Sequence, residues 1–82
     1  MSREIKLCQL NEGDCGVITK IKLGGTMQNR LFDLGLIPGT KIKFLYAAPS
    51  GSPMAFSIRG ASIALRRRDC EHIFLRTCEP WD

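Results

Sequence analysis

The stretch Thr26-Met27-Gln28-Asn29-Arg30-Leu31-Phe32-Asp33-Leu34-Gly35-Leu36-Ile37-Pro38-Gly39-Thr40 decides how this chain folds. Met27, Leu31 and Leu34 recur at the spacing of one helical face, so a short helix is predicted from Thr26 to Leu34. Thr26 is the expected N-cap. Gly35 follows the last apolar position, where a left-handed C′ residue belongs. Met27, Leu31 and Leu34 are expected to anchor the helix, leaving Gln28, Arg30 and Asp33 facing solvent. Ile37-Pro38-Gly39-Thr40 then reads as a type II turn. Pro38 presets the second position and Gly39 supplies the positive φ of the third.

Outward from this segment the period changes to two. Lys41 to Ala48 alternates, with Ile42, Phe44 and Tyr46 on one side and Lys41, Lys43 and Leu45 on the other. Met54, Phe56 and Ile58 alternate next, Gly60 breaks the run, and Ala61, Ile63 and Leu65 form a second hairpin arm. Upstream, Ile5 to Leu10 is a first strand with Leu7 inward. Cys15 to Leu23 is a second, with a bulge near Thr19 to reconcile Val17, Ile21 and Leu23 with Ile18. Arg66 to Cys70 is a single helical turn. His72 to Arg76 is the last strand, with Ile73 and Leu75 inward, and 77–82 is a tail without pattern. Five or six short strands and one short inserted helix describe a mainly β chain, a small antiparallel barrel.

With 82 residues the chain is long enough for one domain, its core at about 5–76. No apolar run approaches the ~20 residues of a membrane span. The beginning Met1-Ser2-Arg3-Glu4-Ile5-Lys6 lacks the apolar core of a signal peptide, so a cytoplasmic protein is expected. The net charge of +4 is mildly basic.

The functional residues are sparse. One histidine and scattered carboxylates offer no catalytic constellation, so no enzyme is expected. Gly35 to Lys41 is glycine-rich, but its spacing is not that of a P-loop, and the helix precedes it. The cysteines Cys8, Cys15, Cys70 and Cys78 lack zinc-knuckle spacing and read as reduced, small apolar groups. Cys70 and His72, with Glu71 or Glu79, are the candidate metal ligands of an alternative reading as a transition-metal sensor. Arg66, Arg67 and Arg68, with Arg59 and Arg76 expected nearby, suit an acidic protein surface. A nucleic-acid-binding barrel would want interleaved aromatic residues, and no nucleic-acid partner is expected. Leu45 and Phe74 fall on the outward side of their strands and form an exposed patch if they are neighbours.

Together these residues make a string: Leu7, Leu10 and Gly13; Ile18 and Ile21; Arg30-Leu31 and Leu34 through Thr40; Ile58-Arg59-Gly60; Ile63-Ala64-Leu65; and Ile73. The string resembles the FeoA family of bacterial ferrous iron transport. The resemblance implies an SH3-like barrel without a cofactor. It implies as partner the FeoB-type membrane transporter, whose cytosolic part binds GTP, and contact with the membrane only through that partner. The same domain type closes some metal-dependent repressors; with no helix-turn-helix pattern among these residues, the stand-alone protein is expected. The family often has alanine where this chain has Cys70, in keeping with a small buried group. The implied partner surface is drawn from Gln28, Arg30, Asp33, Leu45, Arg66, Arg67, Arg68 and Phe74.

Overall fold

The computed structural model describes residues 4–77. The tail after Thr77, with Cys78 and Glu79, lies outside the described residues. Strands β1 (Glu4–Lys6), β2 (Cys15–Ile21), β3 (Lys41–Ala47), β4 (Met54–Ile58), β5 (Ala61–Leu65) and β6 (Ile73–Thr77) form one sheet. Their order is β1-β6-β2-β3-β4-β5, with every pair antiparallel. Helix α1 (Gly25–Asp33) is inserted between β2 and β3, and the one-turn helix α2 (Arg67–Cys70) joins β5 to β6. A 3₁₀ turn (Leu7–Gln9) follows β1 and packs against α2. That contact bridges the two edge strands by packing where no ladder joins them.

The alternation read from the sequence becomes the core. Leu7, Ile18, Ile42, Phe44, Met54, Phe56, Ile58, Ile73 and Leu75 are all buried. Phe44 and Phe56 pair across β3 and β4 with ring centroids 5.3 Å apart. The expected bulge in β2 is present, with the register against β6 shifting between Ile18 and Lys20. Gly16 has a packing duty of its own. A Cβ built there would lie 2.6 Å from the Arg76 carbonyl oxygen and 2.6 Å from Leu75 Cδ1, so only glycine fits.

Helix α1 ends in a Schellman motif. Gly35 N–H donates to the Phe32 carbonyl at 2.9 Å, and Leu36 N–H to the Leu31 carbonyl at 2.9 Å. Gly35 takes the required left-handed conformation, φ 93°. Leu36 and Leu31 are both buried, the apolar contact that accompanies this cap. The type II turn follows as expected, with Gly39 at φ 94° and Thr40 N–H donating to the Ile37 carbonyl at 3.0 Å.

Five expectations are corrected. The first strand stops at Lys6, because Leu7–Gln9 winds into the 3₁₀ turn and buries both Leu7 and Leu10. The second strand stops at Ile21, two residues short of Leu23. The N-cap of α1 is Gly24, not Thr26, and no side chain caps the helix. A second bulge shifts the β3–β4 register between Phe44 and Tyr46. It leaves Leu45 half-buried and turns Tyr46 outward, 60% exposed. Finally, Leu31 is 1% exposed but Leu34 is 50% exposed and Met27 half-buried. The helix therefore rests on one leucine rather than three, and Gln28, expected outside, is half-buried. Leu31→Ala is accordingly expected to cost ~2–5 kcal/mol in denaturant unfolding. Leu34→Ala is expected to stay within about 0.5 kcal/mol, the range of a surface change.

Candidate functional site

The exposed Leu34 belongs to a groove between the two helices. Met27, Arg30, Leu31 and Leu34 line it from α1. Ala64 and Leu65 at the end of β5, with Arg66 and Asp69 at α2, line the other side. The volume is about 300 Å³. Leu31 and Leu65 are buried beneath, while Leu34, Ala64 and the two arginines stand at the surface. The result is an apolar strip with Arg30 and Arg66 beside it and one carboxylate, Asp69, at its edge.

The arginine triplet is divided between different surfaces. Arg66 lines the groove. Arg67 lines a separate cavity of about 470 Å³ with Cys8, Glu12 and Met54, and its backbone N–H donates to Ser52 Oγ at 3.1 Å. Arg68 is exposed and lines neither. Asp33 is exposed, and neither it nor Gln28 lines the groove. Arg59, at the turn between β4 and β5, sits at the far end of β5 from Arg66.

Leu45 and Phe74 do not join into a patch. Phe74 pairs with Lys20 near the end of β2, whereas Leu45 lies past the Cys15–Lys43 pair at its beginning. Phe74 is covered by the chain's own cations, with Lys20 Nζ 5.1 Å and Lys22 Nζ 5.8 Å from the ring centroid. Lys20 also meets Glu4 at 3.5 Å. Thr19, the bulge residue, donates its hydroxyl to Glu4 Oε2 at 2.7 Å. That hydrogen bond, then the Lys20 charge, holds the Glu4 carboxyl below its ordinary pKa.

The cysteine expectations also change. Cys70 belongs to α2 and His72 follows it in a turn, so the same-side geometry expected of a strand does not arise. Cys70 is buried in the core and His72 is exposed. Among the described residues no group of three or more histidine, cysteine or acidic side chains is placed to hold a metal ion. Cys15 is disulfide-bonded, which corrects its reading as a reduced thiol, while Cys8 and Cys70 are free. Spacing cannot reveal such pairing.

Burial, reinforced by the nearby Cys8, pushes the Cys70 thiol up to about 12. A group whose proton is held more tightly when folded contributes fully below its ordinary pKa of 9.0. That contribution fades as pH rises toward about 12. Stability is therefore expected to fall over this alkaline window, and less so in Cys70→Ala. At neutral pH, alkylation of Cys70 is expected only when the chain unfolds, read by mass spectrometry with and without denaturant.

The FeoA domain family matches residues 5–77. A Porphyromonas gingivalis protein, an Fe(2+) transport protein A/Fe(2+) transporter FeoB fusion, is 29% identical over 69 residues. That match takes in 84% of this chain and only 8% of the fusion. The solution structure of FeoA from Chlorobium tepidum superposes with a TM-score of 0.88 at 33% identity, covering 92% of this chain and 71% of that one. FeoA from Stenotrophomonas maltophilia, a prokaryotic SH3 domain protein solved with zinc, superposes with a TM-score of 0.75 at 19% identity. It covers 87% of this chain and 88% of that one, and shows the SH3-like fold alone.

Proposed function

The chain belongs to the FeoA domain family, and we propose that it serves ferrous iron transport as an accessory protein that binds a FeoB-type transporter through the α1–α2 groove. It works on the cytosolic side of the membrane, by binding rather than by catalysis. The fusion of the two proteins in the Porphyromonas gingivalis relative supports the partner, because one chain keeps both at one place.

One observation carries the choice of surface: Leu34 ends a helical apolar stripe, yet half of it is exposed beside the groove. Such a side chain gains only part of its burial energy from folding and gains the rest on association. Full burial of a leucine is worth ~1.5–3 kcal/mol, so covering the exposed half contributes about 1 kcal/mol. Arg30 and Arg66 add a preference for an acidic residue flanking the apolar segment of the partner.

The test is titration of the transporter's GTP-binding domain, and of intact transporter in detergent, with the wild-type protein and two variants. Leu34→Gln keeps a good helix former, and its melting temperature is expected to stay near wild type. Its affinity is expected to fall about fivefold to tenfold. Arg30→Glu is expected to weaken binding further at low salt than at high salt. Unchanged affinity in both variants would remove the groove as the interface, and no binding by the wild type to either form would remove the partner.

A further inference from the structure

A second concave surface, away from the groove, has a different chemistry. Gly39, Thr40, Lys41 and Lys43 line it from the exit turn and β3, and Ser57 and Arg59 from β4 and the turn after it. The volume is about 420 Å³. Among the described residues that line it, three carry positive charge and none is a carboxylate. Lys41 and Lys43 share the outward parity of β3, about 7 Å apart along the strand. Ser57 stands opposite Lys43 in the ladder.

Arg59 is held there against a backbone preference. It is the one described non-glycine residue with positive φ, 51°, followed by Gly60 at 84°. This is the two-residue turn that favours Asn-Gly or Asp-Gly. An arginine lacks the short polar side chain that makes the left-handed region tolerable. Its stem lies beside Gly35, where an added Cβ would come 3.8 Å from Arg59 Cδ. Strain kept at a residue lining a cationic hollow is an observation that points to a ligand.

Lys20 and Lys22 have internal work: Lys20 pairs with Glu4, and both cover Phe74. Among the described residues neither Lys43 nor Arg59 has an ion pair. One carboxylate is satisfied by a single guanidinium fork. An ammonium group, a guanidinium and a hydroxyl in one hollow match the oxygens and multiple charge of phosphate.

We infer that this surface binds a phosphate-bearing ligand, with Arg59 and Lys43 holding the oxyanions and Ser57 donating its hydroxyl. Two sources share that chemistry: a soluble polyphosphate such as a nucleoside triphosphate, and the headgroup of an anionic phospholipid. The inference does not depend on the α1–α2 groove, and its test needs no transporter.

Two measurements separate the sources. One is calorimetry with inorganic tripolyphosphate and with GTP. The other is co-sedimentation with vesicles of phosphatidylglycerol and phosphatidylcholine, against phosphatidylcholine alone. Saturable binding is expected in at least one arm, and the arm that binds names the source. Arg59→Asn and Lys43→Ala are each expected to weaken it about tenfold, with the loss shrinking as salt rises. Arg59→Asn is expected to melt no lower than wild type, because Asn-Gly suits the turn. A loss of binding is then not a loss of fold. Absence of binding in both arms at about 1 mM ligand would overturn the inference. So would full binding by Arg59→Asn, or an equal loss in the Lys20→Ala/Lys22→Ala control, which would reduce the effect to net charge.

Discussion

Ile18 exchanges two hydrogen bonds with the turn that leaves α1, and the arrangement of the molecule depends on them. Its N–H donates to the Thr40 carbonyl at 2.9 Å, and its carbonyl accepts from Gly39 N–H at 2.7 Å. They fall where β2 bulges. On the other side of the turn, the Thr40 hydroxyl donates to the Gly35 carbonyl at 3.0 Å. Thr40 is buried, so this bond satisfies a polar group that would otherwise be costly there. Helix end, turn and central strand are thus tied at three points within six residues of chain. Leu31 and Leu36 enter the core together because Gly35 allows the reversal between them, and Gly39 allows the turn that leads on into β3.

That tie limits what α1 can do for stability and frees the rest of it for other work. A helix of nine residues with no side-chain cap has little stability of its own. It is held at its C-terminal end by Leu31 and the Schellman cap. The outer part of its apolar stripe, Leu34, remains beside α2 as one wall of the groove. In an 82-residue chain every apolar group left outside is a sizeable fraction of the core it might have joined. An exposed leucine at the mouth of a groove fits the partner contact proposed above. The same economy appears at Arg59, where a strained backbone is kept beside a cationic hollow.

The sequence made the strands legible because their alternation is strict where both neighbours are present. Met54, Phe56 and Ile58 in β4 show this, as do Ile73 and Leu75 in β6. The Thr19 bulge was legible because two parities collided within one run. The bulge at Leu45 was not, because the run Ile42, Phe44, Tyr46 keeps perfect parity while the pairing slips beneath it. Helical spacing placed Met27, Leu31 and Leu34 on one face, but it cannot say how far across that face the core extends. A nine-residue helix crossing a small barrel covers it with one turn only. The groove itself joins α1 to the end of β5, residues more than thirty apart in sequence. Arg30 and Arg66 were both foreseen as surface cations, and only the fold brings them to one site. The metal candidates failed for a related reason. Cys70 was given a strand's parity, whereas α2 turns it into the core.

The claim that the α1–α2 groove meets the transporter is tested most directly by residue-resolved mapping. Amide signals of the isotope-labelled protein would be followed while the unlabelled GTP-binding domain or intact transporter is added. The account predicts that the amides of Met27, Arg30, Leu34, Ala64 and Arg66 shift or broaden together, while those of Tyr46 and Phe74 stay in place. Perturbation confined to Tyr46, Phe74 or the Lys41–Arg59 hollow, with the groove unmoved, would contradict it.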